Sequence, residues 1–140
     1  ITNSTTYNYS GNVLGDTYNA SGSVDPILLN SNNSLNMNIN FASANPVSVT
    51  NMSFDTQQGW SYSQSSNLTA QSSSISTNLS TNTQSFAASV GNSVNTADVL
   101  KLQGKFYGSS ANAVGGAFAG SLTGADAAQR AVQGVFNAKR

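Results

Sequence analysis

The chain of 140 residues is long enough for one domain with a buried core, and 63 of its residues are Ser, Asn, Thr or Gln. Only ten residues are charged, the formal net charge is zero, and Glu, His and Cys are absent. This composition excludes a disulfide framework, a thiol nucleophile and metal ligation by His or Cys, and it argues against nucleic acid as a partner because clustered Lys and Arg are missing.

Short runs of alternating apolar and polar residues predict β-strands through the first part of the chain. Residues 7 to 13 place two tyrosines and a valine on one face, and residues 35 to 41 alternate large apolar residues with asparagines. The apolar parity then changes between Val49 and Met52. This change predicts a β-bulge near Thr50-Asn51.

The middle of the chain is polar. Gly59 precedes a short strand that contains Trp60 and Tyr62. Residues 64 to 84 are dominated by Ser, Thr, Asn and Gln, which indicates either a long polar excursion or two weak strands. We expect Trp60 in the core, with Tyr62 as its neighbour by parity. An exposed position at a barrel rim would instead make these two residues weak candidates for binding.

Glycines close to aromatic residues mark the last three predicted strands. Parity directs Gly104 and Phe106 to the same face, which indicates a packing motif rather than a reactive site. Gly115-Gly116 lies inside a strand with no Lys-Ser/Thr after it, so it predicts a bend rather than a phosphate loop. The predicted structural motif comprises Gly104, Phe106, Tyr107, Gly108, Gly115, Gly116, Phe118, Gly134 and Phe136.

These patterns predict an all-β fold: an eight-stranded antiparallel β-barrel with one short helix in a late connection. The helix is expected at 125 to 131, where alanines surround Asp126 and Arg130 at an i,i+4 spacing. The predicted strands span 6 to 13, 35 to 42, 47 to 55, 60 to 68, 84 to 90, 99 to 108, 114 to 122 and 133 to 139.

The last forty residues resemble the transferrin-binding protein B type of C-terminal β-barrel domain. The similarity lies in the run 104 to 108, in Ala111, in 115 to 118 and in 134 to 139. Ser109, Ser110 and Asn137 depart from the family pattern at a turn and at a strand end. The group includes bacterial surface lipoproteins, factor H binding proteins and secreted haem-capturing proteins. The resemblance implies an eight-stranded barrel of Gram-negative origin with an extracellular, cell-surface or outer-membrane-associated location, and it implies no shared ligand.

No catalytic residue, cofactor site or metal site is predicted. The usual general acids and bases are missing, and no Gly-x-Ser-x-Gly elbow accompanies the serines, so we expect no enzyme. Haem ligation by a tyrosine is the remaining cofactor hypothesis, although we expect the tyrosines to fill or rim the barrel. The five tyrosines are Tyr7, Tyr9, Tyr18, Tyr62 and Tyr107.

The leading functional hypothesis is a non-enzymatic exported barrel that recognises a protein, or supports a recognition module, at the bacterial surface. The partner would be a host protein or a surface component of the same cell, and this domain would not insert into a membrane. The alternatives are a carrier of haem or another small ligand and a self-associating subunit of an extracellular assembly. Binding is expected in the polar stretches 64 to 84 and 15 to 34. Because the chain begins at Ile1 rather than Met, we expect residues 1 to 140 to be a single β-barrel domain that forms the C-terminal part of a longer or processed exported protein.

Overall fold

A computed structural model describes residues 5–140, and this part of the chain folds into ten antiparallel β-strands without a helix. The all-β class is therefore confirmed. The strands are β1 (Thr6–Tyr18), β2 (Val24–Pro26), β3 (Ser34–Asn40), β4 (Val47–Asp55), β5 (Ser61–Gln64), β6 (Leu68–Asn78), β7 (Thr83–Asn92), β8 (Val99–Tyr107), β9 (Ala113–Thr123) and β10 (Gln129–Lys139).

The two edge strands of the sheet are joined by the polypeptide chain and not by a hydrogen-bonded ladder, and this closes the sheet into a barrel. Its hydrogen-bonded order is β5-β4-β3-β1-β10-β9-β8-β7-β6, with β2 added to the end of β1. The strands at the two ends of this order, β5 and β6, follow one another in sequence and are separated only by residues 65 to 67. β5 pairs with β4 and β6 pairs with β7, so together they occupy one position in the wall of an eight-position barrel.

A short seam lies between β6 and the first half of β4. The Val47 amide donates to Ser73 Oγ at 2.9 Å, and the Ser73 amide donates to Asn45 Oδ1 at 3.3 Å. In the described part of the chain, β6 has a ladder with β7 alone. Side-chain hydrogen bonds therefore take the place of a strand ladder at the seam.

The core follows the alternation in the sequence. Leu35, Met37 and Ile39 on β3 are fully buried, and the asparagines between them face outward. On β4, Asn36 pairs with Asn51 whereas Met37 pairs with Val49, which leaves Thr50 as an extra residue. The predicted bulge near Thr50-Asn51 is confirmed, and it returns Met52 to the buried face.

The strand count and the helix are corrected by the structure. Eight of the ten strands correspond to the predicted ones, β2 was not predicted, and β6 lies in the stretch 64 to 84, for which a polar excursion and two weak strands were left open. The helix predicted at 125 to 131 is wrong. β9 and β10 pair without interruption up to Thr123 and Gln129, so only five residues connect them, too few for two helical turns. Ala127 has a positive φ of 64° in this turn, and its amide donates to the Gly124 carbonyl.

Paired glycines allow the strands of the barrel wall to approach closely. Gly104 on β8 lies opposite Gly116 on β9, and Gly15 lies opposite Gly134. A Cβ at Gly116 would overlap the Gln103 carbonyl oxygen and would lie 2.5 Å from the Gly104 Cα. At the neighbouring Gly115, the nearest atom to a Cβ is 3.5 Å away. A side chain is therefore excluded at Gly116 but has room at the adjacent Gly115.

We expect Gly116→Ala to lower the free energy of unfolding by about 2 kcal/mol, because the methyl group must displace backbone. Gly115→Ala is the matched control and should change stability by less than about 0.5 kcal/mol. Urea unfolding of both variants measures the difference. Equal stabilities for the two variants would contradict the steric role of Gly116.

Candidate functional site

One end of the barrel is closed by a buried ion pair and is called here the plugged end. Asp25, fully buried on β2, accepts a hydrogen bond from the Arg130 guanidinium at 2.7 Å and one from Thr56 Oγ1 at 2.6 Å. Arg130 also lies 5.1 Å from the centre of the Trp60 ring. These contacts join β2, β10 and the β4–β5 turn into a polar plug.

The surroundings of Asp25 favour its charged form. Burial alone would raise the pKa of this carboxyl. Hydrogen bonds from Thr56 and the Gln58 amide, together with the bond and charge of Arg130, outweigh that effect and hold the pKa of Asp25 below its usual value. The pair is therefore an element of stability that depends on an ionised Asp25.

Trp60 and Tyr62, the weak binding candidates from the sequence, lie in the core. Their exposed fractions are 4% and 1%. Burial and the nearby Asp98 raise the pKa of Tyr62, so its phenol is neutral. Their burial fits the predicted core position and does not fit the alternative of an exposed binding position at the barrel rim.

The opposite end, called here the aromatic end, has half-buried rings. Tyr7, Phe41 and Phe106 lie where β1 begins and where β3 and β8 end. The ring centres of Phe41 and Phe106 are 5.2 Å apart, and those of Tyr7 and Phe41 are 6.2 Å apart. The guanidinium of Arg140 lies 4.6 Å from the centre of the Tyr7 ring. This end combines aromatic surface with an exposed cation.

The turn from β8 to β9 is fixed above the aromatic end. Tyr9, which is fully buried, donates its hydroxyl proton to the Ala111 carbonyl at 2.5 Å. Burial raises the pKa of Tyr9, so the hydroxyl keeps this proton at neutral pH. Ala111 itself has a positive φ of 49°. A hydrogen bond from a core residue therefore fixes the position of the exposed β8–β9 turn.

A cleft of about 320 Å³ separates this turn from the β6–β7 hairpin. Hydroxyl and amide groups form most of its walls, with one aromatic residue at the base. The hairpin turn between β6 and β7 includes Leu79, which is 89% exposed. The lining residues are Thr77, Asn82, Gln84, Phe106, Gly108, Ser109 and Ala111.

The two stretches expected to bind lie at different ends of the barrel. Much of 64 to 84 is β6 and the hairpin that reaches the aromatic end. The stretch 15 to 34 belongs to the plugged end, where Asn33 donates to the carbonyls of Val13 and Leu28 at 2.7 and 2.9 Å. Leu29 in this stretch is 63% exposed. The structure therefore does not bring the two stretches into one site.

The remaining predicted residues belong mainly to the wall. Gly104, Phe118 and Phe136 face the interior, whereas Tyr107 is 55% exposed on the outside. Gly108 has a positive φ of 87° in the β8–β9 turn. Of the five tyrosines, Tyr7 and Tyr9 lie at the aromatic end and Tyr18 and Tyr62 near the plugged end.

Sequence analysis missed the clustering of Tyr7, Phe41, Phe106 and Arg140. The sequence does show that each aromatic residue stands at the end of a predicted strand. Only the strand order shows that these strand ends are neighbours.

The family is established by comparison with known proteins. A family model described as the C-lobe and N-lobe beta barrels of Tf-binding protein B matches residues 1–140. The chain belongs to this family. The match confirms the resemblance found in the last forty residues and extends it to the whole chain. No curated protein matches the chain. Among residues 5–140, no helix is long and apolar enough to cross a membrane.

We expect Asp25→Asn to lower the free energy of unfolding by about 2 kcal/mol at pH 7, because Arg130 loses its buried partner. Since the folded pKa of Asp25 is depressed, its contribution is complete above the unfolded pKa of about 4 and is lost as pH falls through the folded value. The gap between wild type and variant should therefore narrow below about pH 4. Urea unfolding between pH 7 and pH 2 measures this gap.

Asp55→Asn serves as the control. The pKa of Asp55 is also lowered, but by hydrogen bonds from the exposed Asn32 and Asn30 side chains. Its substitution should have a smaller effect at pH 7. A gap between wild type and Asp25→Asn that stays constant with pH would contradict the role of the ion pair.

Proposed function

We propose that this domain is a non-enzymatic, exported protein-binding barrel of a Gram-negative bacterial surface, and that its aromatic end contacts the partner. The family description supports the class, because it names the barrels of a binding protein. The observation that carries the site is the cluster of Tyr7, Phe41, Phe106 and Arg140 beside an open cleft.

The chemistry of this end suits protein recognition. Aromatic and Arg side chains are enriched in interface cores, because they offer a large contact area together with a polar or cationic group. The cleft accepts an apolar side chain of the partner over Phe106, while Thr77, Asn82 and Gln84 offer hydrogen bonds at its rim. Tyr9 holds the β8–β9 turn in place, which reduces the entropic cost of ordering that turn on binding.

The partner is a host protein or a surface component of the producing cell, and the protein is secreted or associated with the outer membrane. The domain is one barrel of a longer exported protein. Support comes from the family description, which assigns an N-lobe barrel and a C-lobe barrel to the same binding protein. In such an arrangement the barrel either binds directly or supports an adjacent recognition module.

The test is capture by the immobilised domain from host serum and from solubilised envelope of the producer, followed by measurement of affinity for each captured protein. Ser109→Lys adds a charged side chain to the cleft wall and should weaken binding by about tenfold or more. Ser31→Lys is the matched control, because Ser31 is an exposed turn serine remote from the aromatic end. It should bind like wild type.

Two results would contradict the proposal. One is the absence of any saturable protein partner. The other is equal loss of affinity in Ser109→Lys and Ser31→Lys. A saturable Soret shift on titration with haemin, without protein capture, would favour a carrier instead.

A further inference from the structure

The outer part of β6 has one unpaired edge. β6 pairs with β7 from Leu68 to Asn78, and its other edge meets β4 only as far as Ser73. Residues 74 to 78 follow the last of these contacts in the strand. Among the described residues, no strand pairs with this part of the edge.

The direction of the Ser73 amide identifies the free backbone groups. This amide donates to Asn45, so it points away from β7. Alternate residues of an antiparallel strand direct both their N–H and their C=O groups to the same edge. Ile75 and Thr77 therefore direct their backbone donors and acceptors to the unpaired edge, and those of Ser74 and Ser76 face β7.

This edge lacks the features that usually prevent pairing with another chain. Edge strands are commonly protected by charged residues, Pro or a bulge. No charged residue occurs between Asp55 and Asp98, and 74 to 78 contains no Pro. The one register shift of β6 lies between Ala70 and Ser72, before the free segment begins. Small serine side chains at 74 and 76 leave room for close approach.

We propose that residues 74 to 78 pair in antiparallel fashion with the same residues of a second copy of this chain. Two identical neutral edges meet without like-charge repulsion. A two-fold axis makes each donor on one copy face an acceptor on the other, so the free groups of Ile75 and Thr77 are satisfied reciprocally. Pairing joins the β8-β7-β6 walls of both barrels into one continuous sheet.

The experiment is sedimentation equilibrium of the whole chain from about 1 µM to about 1 mM. Wild type should pass from monomer to dimer in this range. Ser76→Asp, outside the cleft, places a charge directly opposite its counterpart on the second copy and should raise the dissociation constant of the dimer by about tenfold or more. Ser31→Asp makes the same chemical change in an exposed turn and should dimerise like wild type.

A second pair of variants tests the register. The chain has no Cys, so Ser76→Cys, whose two copies lie directly opposite each other in the proposed pairing, should form a disulfide-linked dimer under mild oxidation, whereas Ser31→Cys should form no disulfide-linked dimer. The urea midpoint of each variant establishes that it is folded. Ser109→Lys, which is expected to lose partner binding, should still dimerise, so the two proposals can fail separately.

The proposal is overturned if wild type remains monomeric throughout the range, or if Ser76→Asp and Ser31→Asp dimerise equally. A monomer in which Ser76→Asp abolishes capture of a serum or envelope protein would also overturn it, since Ser76 lies outside the cleft and the edge would then pair with a foreign strand.

Discussion

Closure of the barrel through the link between β5 and β6 is the constraint on which the rest of the structure depends. The hydrogen-bonded sheet begins at β5 and ends at β6, and residues 65 to 67 join these two strands covalently. A ladder on β4 and hydrogen bonds at Ser73 hold the remaining contact. Because the sheet closes in this way, its apolar face becomes a core and its two ends become distinct surfaces.

The two ends have different consequences. At the plugged end, Asp25, Arg130 and Trp60 satisfy buried charge and fix the β4–β5 turn, which supports stability. At the aromatic end, the rings of Phe41 and Phe106 remain half-buried beside a polar cleft, which leaves surface for a partner. β6 follows this link and is longer than its contact with the β4 side, which ends at Ser73. The unpaired edge of 74 to 78 is therefore a direct result of how the barrel closes.

Sequence patterns predicted the fold well wherever one face of a strand is apolar. The alternation at Leu35, Met37 and Ile39 and the parity change at Thr50 both have a clear structural counterpart. For β6 the sequence left a polar excursion and two weak strands open, because its only large apolar residues, Leu68 and Ile75, stand on opposite parities. Both pack against the core, and the register shift between Ala70 and Ser72 lies between them. The helix at 125 to 131 was predicted from local propensity, but the ladder between β9 and β10 left too few residues for it.

The candidate site was less predictable than the fold, for a topological reason. Tyr7, Phe41, Phe106 and Arg140 are far apart in sequence and meet only because β1 lies between β3 and β10 and the barrel closes around them. Alternation shows which residues face inward, but it does not show which strand ends are neighbours. Trp60, the residue most suggestive of binding in the sequence, instead packs on Arg130 inside the plugged end.

Lengthening the β5–β6 link tests whether the barrel closes through it. About ten Gly and Ser residues inserted between Ser65 and Ser66 should separate β5 from β6 and open the wall, whereas the same insertion between Ser80 and Thr81 lengthens only a hairpin turn. Loop entropy costs about 1 kcal/mol in either insertion, but the first should also lose the hydrogen bonds and packing of the seam, so urea unfolding should show a loss of several kcal/mol for the first and about 1 kcal/mol or less for the second. Equal, small losses for both insertions would contradict closure through the link.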